Sequence, residues 1–229
     1  MTQFSKTIQK LIDLFSKFPT VGPRTASRFV FYLIKQPKEK IEELVSAIQE
    51  LKNKIKYCDF CFQPFEALAE EGESESLLCP ICQNMGRDRG LLCIVEKESD
   101  LITIEKIPIS SRTHGEVGAK KYKGLYFILG GNVATLKKSD VENLRIKELE
   151  ERLRNPQSFG VITIFKEIIV ATNPTPEGKA TAILVEKKIK DTLKEKTPKI
   201  THLGLGLPVG AELEYADEET LESAFESRK

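Results

Sequence analysis

The spacing of apolar residues changes character along the chain. Near the start, Phe4, Ile8, Leu11, Ile12 and Phe15 recur at three- and four-residue steps, so residues 5 to 17 are expected to form an amphipathic helix. The run Phe18-Pro19-Thr20-Val21-Gly22-Pro23 must end it, because its prolines and glycine cannot continue a helix. A second helix is expected from near Arg24, with Pro23 favourable in its first turn and Ala26, Phe29, Val30, Leu33 and Ile34 on one face. Residues 38 to 56 read as a third helix. Later, short apolar runs alternate with helical segments. Leu91 to Val95, Gly124 to Leu129 and Ile168 to Ala171 read as buried strands, and Val141 to Arg154 and Ala180 to Leu193 as covering helices. Such alternation predicts a largely parallel α/β sheet, whose sites gather at the carboxyl ends of strands. Those ends are Glu96, the Gly130-Gly131 turn and Asn173-Pro174-Thr175-Pro176-Glu177-Gly178. Asp217 is a good N-cap for a last helix running to about Arg228.

Between the two patterns stand two close cysteine pairs, Cys58-Asp59-Phe60-Cys61 and Cys79-Pro80-Ile81-Cys82, with 17 residues between them. Two residues between thiolates let a tight turn aim both sulfurs at one ion, and the intervening loop brings the second pair round to close a tetrahedral zinc shell. Four thiolates fill that shell, so the expected Zn²⁺, one per chain, is structural rather than catalytic. The alternatives are two disulfides or ordinary buried thiols. The opening residues Met1-Thr2-Gln3-Phe4-Ser5-Lys6 lead into an amphipathic segment without a long apolar run, so a reducing cytosol is expected and disulfides are disfavoured. Cys93, inside Leu91-Leu92-Cys93-Ile94-Val95, reads as a small core hydrophobe.

With 229 residues, 40% of them hydrophobic and 30% charged, the chain can build one moderate core plus one or two small modules. No stretch approaches the length of a membrane-spanning helix. The net charge of +1 would by itself argue against nucleic acid. Its distribution argues otherwise: residues 1 to 56 carry eleven Lys/Arg against five Asp/Glu, the loop between the cysteine pairs holds five glutamates (66, 70, 71, 73, 75) and no base, and the tail from residue 211 has seven acids against Arg228 and Lys229. A chain so polarised can hold a polyanion at one end and keep it off the other; the bland alternative is solvated helix faces. Likewise, the first two helices either simply pack or form a helix-hairpin-helix. In the second case the hairpin around Gly22 and the positive start of the second helix cradle a phosphate oxygen, flanked by Arg24 and Arg28.

Taken together, these residues resemble the RecR family of bacterial recombination mediator proteins. The resemblance is carried by FPTVGPRTASR at 18 to 28, CDFC and CPIC, RDRGLLCIVE at 87 to 96, YKGLYFILGG at 122 to 131, ATNPTPEGKATA at 171 to 182 and LPVGAELEYADEETLESA at 207 to 224. It implies an α/β architecture in four parts: a helix-hairpin-helix DNA-binding region at 1–56, a small C4 zinc finger at 57–86, a mostly parallel Toprim-like sheet at 87–195 and a C-terminal assembly segment at 196–229. It further implies a cytoplasmic, nucleoid-associated, homo-oligomeric clamp, dimer or tetrameric ring, on single-stranded, duplex or junction DNA. Such a clamp acts with RecO, and in many bacteria RecF, to help load RecA on strands covered by single-strand-binding protein. Lys17, Gly22, Arg24 and Arg28 are the expected DNA-binding residues; Glu96 and Glu177 are the expected partner contacts.

Toprim enzymes hold Mg²⁺ with a glutamate after the first strand and an Asp-x-Asp pair on a later one, since a hard cation requires several anionic oxygens. This chain keeps Glu96 but has Asn173-Pro174-Thr175 at the later position, so a non-enzyme is expected. The alternative is a metal-dependent Toprim nuclease or primase-like enzyme; a third reading is a pure protein scaffold. His114 and His202 lie in different elements without a persuasive nucleophile, and Gly178-Lys179-Ala180-Thr181 fails as the end of a P-loop because Lys179 is followed by alanine. The chain departs from the family pattern at Thr20, where glycine is usual and a left-handed backbone is costlier for threonine, at His202 and Leu205, where arginines are common, and in the glycine-poor Asn132 to Lys138.

Overall fold

Ser5 opens the first helix by accepting a hydrogen bond from the Ile8 N–H at 3.4 Å, and the sequence then folds as its periodicity demands. The structure is a computed structural model that describes residues 4–67, 77–106, 109–110, 119–120, 122–133, 142, 144–204, 206–207, 210 and 212–226. Residues Met1–Ile55 and Lys56–Lys229 make two compact units. The first contains α1 (Lys6–Phe15), α2 (Pro23–Ile34) and α3 (Lys38–Lys54). Ile12, Ala26 and Val30 form its small core, with Ile8, Phe15 and Val21 packed against it. The apolar face expected of α2 is therefore only partly covered: Ala26 and Val30 lie inside, whereas Phe29 and Ile34 are exposed. No residue of α3 is buried. Periodicity identifies an apolar face but not what covers it.

The second unit begins with a two-stranded ribbon, β1 (Ile55–Tyr57) and β2 (Pro64–Glu66), and the short helix α4 (Pro80–Gln83). Then come β3 (Asp88–Val95), α5 (Glu98–Lys106), the small antiparallel pair β4 (Ile109–Ser110) and β5 (Ala119–Lys120), and β6 (Gly124–Ile128). The chain continues through α6 (Ile146–Arg154), β7 (Glu167–Ala171), α7 (Pro176–Leu193), β8 (Lys199–His202) and α8 (Glu218–Glu226). Strands β6, β3, β7 and β8 lie in that order in one sheet whose registered pairs are all parallel, with Cys93 opposite Tyr126 on one side and Ile169 on the other.

Successive strand residues point to opposite faces, and both faces are covered. Leu92, Ile94, Leu125, Phe127, Ile168 and Val170 pack with Leu149 and Leu153 of α6 and Val185 and Ile189 of α7. Cys93, Val95, Tyr126 and Ile128 pack with Leu101 of α5 on the other face. Cys93 is thus a core residue, and burial pushes its thiol up to about 12. The cysteine arms are continuous with the first face: Cys58, Phe60, Cys61, Cys79 and Cys82 belong to the same apolar cluster as the sheet.

Several expected boundaries move. The helix expected over 5–17 is shorter, since Ser16 caps α1 and the prolines follow. The third helix stops at Lys54 because Ile55 turns extended to start β1. Helix α7 begins four residues earlier than expected, at Pro176, because Thr175 caps it by accepting from the Gly178 N–H at 3.1 Å. Helix α6 is resolved from Ile146; Val141, where it was expected to begin, lies outside the described residues, as do residues 227–229 at the expected end of α8. The capping expected of Asp217 is present, its carboxylate accepting from the Thr220 N–H at 2.9 Å and hydroxyl at 2.7 Å.

Candidate functional site

The helical hairpin of the first unit leaves its chemistry facing outward. Gly22 precedes α2 with no side-chain cap, and Pro23 has no N–H, so the remaining first-turn amides of α2 carry no capping side chain. A Cβ added to Gly22 would meet nothing within 4 Å, and its φ of −83° suits any residue; nothing inside the hairpin demands glycine there. Thr20 takes φ 63°, the left-handed conformation anticipated for it, at a cost of about 1 kcal/mol relative to glycine. Lys17, Arg24 and Arg28 are exposed and form no ion pair among the described residues. Lys6 and Lys10 line a groove along α1 with Lys17. The four-residue spacing of Lys6 and Lys10 is the sequence signal for this second cationic stripe.

The second centre is the cysteine cluster. The Sγ atoms of Cys58, Cys61, Cys79 and Cys82 all lie within 4.8 Å of one another, and all four residues are buried. Four sulfurs at about 2.3 Å from a common tetrahedral centre stand roughly 3.8 Å apart, so the donor set fits one zinc-sized ion. Hydrogen bonds from the neighbouring thiols depress Cys58, whereas those with Cys58 and Cys79 push Cys61 up and those with all three neighbours push Cys82 up; four thiols in one pocket cannot all ionise unaided. A bound divalent cation would favour the thiolate at all four sulfurs.

Local geometry explains how the arms reach this position. In the first knuckle the Cys58 N–H donates to the Gln63 carbonyl and the Phe62 N–H to the Cys58 carbonyl, both at 3.0 Å. Phe62 adopts φ 65°, which is compensated by its ring: Phe127 meets it edge-on at 5.6 Å, and the Arg145 and Arg152 guanidiniums each lie 4.7 Å from it. Asp59 joins the arms, its carboxylate accepting from the Leu77 N–H at 2.6 Å and its own N–H donating to the Leu77 carbonyl at 2.8 Å. Arg152 then ties the knuckle to α6. Its guanidinium donates twice to the Asp59 carbonyl, at 2.8 and 3.2 Å, lies 4.0 Å from the Phe159 ring and is lowered in pKa by its burial. Arg152 thus fixes the backbone between Cys58 and Cys61, and outer hydrogen bonds that orient metal ligands are worth about 10- to 100-fold in metal affinity. Arg152→Met is therefore expected to release zinc at least tenfold faster to a colorimetric chelator, with Arg154→Met as the solvent-exposed comparison.

The third centre is the carboxyl edge of the sheet. Glu96 follows β3 and is fully buried. Its carboxylate accepts from the Asn173 N–H at 2.8 Å, the Asn173 side-chain amide at 2.8 Å and the Asn132 side-chain amide at 3.0 Å. Amides thus converge where a metal-binding Toprim site would need further carboxylates. Glu96, expected as a partner contact, is enclosed in the single chain by the two strand-end loops, with both carboxylate oxygens engaged. Asn132, read in sequence only as part of a glycine-poor stretch, is a member of the site; residues 134–138 of that stretch lie outside the described residues. Glu177 is exposed in the first turn of α7. Lys179 forms an ion pair with Glu219 of α8, not a phosphate loop. His202 lies 3.5 Å from the Glu186 carboxylate at the surface. His114, Leu205 and Glu70, Glu71, Glu73 and Glu75 lie outside the described residues.

A helical hairpin ahead of a parallel sheet with a buried glutamate after its first strand is the architecture of a helix-hairpin-helix Toprim protein, and residues 90–203 match the Toprim domain. Residues 8–52 match the RecR helix-hairpin-helix and residues 206–229 the RecR C-terminal segment. The chain is 38% identical over 229 residues to "Recombination protein RecR" of Rubrobacter xylanophilus, covering 100% of this chain and 99% of that relative. It is 37% identical over 225 residues to the protein of the same name from Dehalococcoides mccartyi (97% and 93% covered) and 34% identical over 228 residues to that from Clostridium perfringens (100% and 98% covered). The chain belongs to the RecR family. No helix among the described residues is long and apolar enough to cross a membrane.

Proposed function

We propose that this chain is a recombination mediator in DNA repair that binds DNA without sequence preference through its helix-hairpin-helix. The carrying observation is the hairpin itself: an uncapped helix start beside exposed, unpaired Lys17, Arg24 and Arg28. Backbone amides and flexible cations recognise phosphate, not base edges, so they position a strand without reading it. The relatives' shared name, "Recombination protein RecR", supports the biological setting. In this reading the protein is a cytoplasmic, nucleoid-associated homo-oligomer, a dimer or a tetrameric ring around DNA. It works with RecO, and with RecF where that partner is present, to help load RecA on strands covered by single-strand-binding protein. Glu177 is the proposed partner contact on the strand-end face, and Glu96 supports that face from within.

Cys58, Cys61, Cys79 and Cys82 would hold one Zn²⁺, which supplies a rigid crosslink and no reaction chemistry, since four thiolates leave no position for substrate. The reading is of a non-enzyme. Its support is positive: the oxygens of Glu96 are engaged by Asn173 and Asn132, and Asn173 stands where a second carboxylate would be needed. Labelled single-stranded and duplex DNA incubated with the chain and Mg²⁺ or Mn²⁺ should remain intact and unextended; turnover abolished by Glu96→Ala would reinstate the enzyme. For binding, Arg24→Ala should lower the slope of log affinity against log salt by about 0.7 to 0.9, one phosphate's worth. An unchanged slope removes Arg24 from the interface.

A further inference from the structure

The amino-terminal edge of the sheet carries a row of lysines that neither the fold nor the hairpin explains. Lys123 precedes β6, Lys166 precedes β7 and Lys199 opens β8, and main-chain hydrogen bonds fix their neighbourhood. The Asp88 N–H donates to the Lys123 carbonyl at 2.8 Å, the Lys166 N–H to the Gly90 carbonyl at 2.8 Å, and the Lys199 N–H to the Lys166 carbonyl at 3.0 Å. All three side chains are exposed and form no ion pair among the described residues. Lys194 and Lys196, in the turn that leads into β8, are exposed as well. Lys190 and Lys194 are accounted for by the negative end of α7, which favours cations. Lys123, Lys166 and Lys199 terminate no helix.

Acidic residues of the same edge do not neutralise the row. Among the described residues, Asp88 accepts from the Gly90 N–H at 2.9 Å, Glu167 from the Thr201 hydroxyl at 2.8 Å and Glu105 is paired with Arg87 at 2.7 Å, so these three acids are engaged within the chain; Glu195 is exposed. At the opposite, carboxyl edge stand Glu98, Glu177 and the acidic start of α8, docked there by the ion pair of Glu219 with Lys179. The two ends of the sheet therefore differ in sign. Neighbouring strands lie about 4.8 Å apart, so with one strand between β6 and β7 the three lysines span roughly 15 Å. Along the axis of a B-form duplex one strand presents about four phosphates over that length.

We infer that Lys123, Lys166 and Lys199 form a second phosphate-backbone contact, on the sheet unit and separate from the hairpin. Such a contact gives the sheet unit its own attachment to the phosphate backbone and adds affinity rather than sequence preference. It rests on the DNA-binding reading above but places a new surface on a different unit.

The test uses the full-length chain and a fluorescein-labelled thirty-nucleotide oligo-dT, with anisotropy titrations at several salt concentrations. The variant K123Q/K166Q/K199Q keeps the side-chain stems and removes three charges; K188Q/K190Q removes charge from lysines already paired with Glu150 and Glu186. At roughly 0.7 per phosphate for single strands, the triple variant should lower the salt slope by about two units, with the paired-lysine control changing it by less than one. Melting curves matching the unsubstituted chain keep the comparison between folded proteins. An unchanged slope in the triple variant overturns the inference while leaving the hairpin reading intact, as does an equal loss in the control. A change in oligomer mass by light scattering with an unchanged slope overturns it in favour of a protein contact. Failure of the unsubstituted chain to bind the oligonucleotide overturns both readings.

Discussion

A Cys79→Ser chain is expected to purify without zinc, where the unsubstituted chain retains one ion, and to lose the cooperative melting of residues 56–229. Cys79 is fully buried, and its sulfur stands 3.5 Å from that of Cys61. A hydroxyl there is a poor ligand for a thiolate-preferring site, and three remaining thiols in an apolar pocket resist ionisation. The consequence is not confined to a detachable finger. The Cys61 carbonyl accepts from the Ile128 N–H at 3.1 Å, directly at the end of β6, and the arms share their apolar cluster with Leu92, Phe127 and Leu149. Structural zinc contributes about 10 kcal/mol or more of apparent binding free energy in small zinc domains, against a whole-domain stability of about 5–15 kcal/mol, so its loss should be felt across the sheet. Metal content by plasma mass spectrometry and a thermal melt check this together. Full stability in a zinc-free Cys79→Ser chain contradicts it. Because the ligands bind as thiolates, zinc retention should also fall as pH drops and protons compete for sulfur.

Gly178→Ala is the second large effect, and its sign is the informative part. In a solvent-exposed helix the change would add about 1 kcal/mol of stability. Here a Cβ would stand 2.0 Å from the Asn173 carbonyl oxygen and 2.9 Å from a carboxylate oxygen of Glu96. The contact is with backbone, so it is relieved only by pushing α7 away from the β7 end, which breaks the bonds from Asn173 to Glu96. Overpacking of 1–3 kcal/mol plus a weakened charged hydrogen-bond set gives an expected loss of about 4 kcal/mol. Denaturant unfolding of the variant measures it; stability equal to or above the unsubstituted chain would refute the tight packing described for this edge.

Much of this was legible in the sequence where local rules decide the outcome. The hairpin helices, the cysteine knuckles and the apolar strands follow from periodicity, proline placement and ligand spacing. Thr20 was legible as a left-handed threonine because the resemblance to a glycine pattern marked the position. The missed elements depend on long-range pairing. Strand β8 is four residues, Lys-Ile-Thr-His, too short and polar to announce itself, and it exists because β7 offers an edge. Helix α5, Glu98–Lys106, carries only Leu101 as a fully buried residue, so its apolar period is faint. Arg152 and Asn132 act at 93 and 36 residues' separation from Asp59 and Glu96, distances no local pattern encodes. Glu96 was found in sequence by its position after a strand; only its enclosure by amides shows that it supports the edge from inside.

In the proposed function the first unit grips the DNA backbone. Oligonucleotide affinity measured from low to high salt, for the full chain and for residues 56–229, tests it most directly, since the second unit holds a core of its own. Loss of Lys17, Arg24 and Arg28 with the head should flatten the salt slope by about two units or more and weaken binding throughout. Equal slopes and affinities for the two proteins would contradict the account.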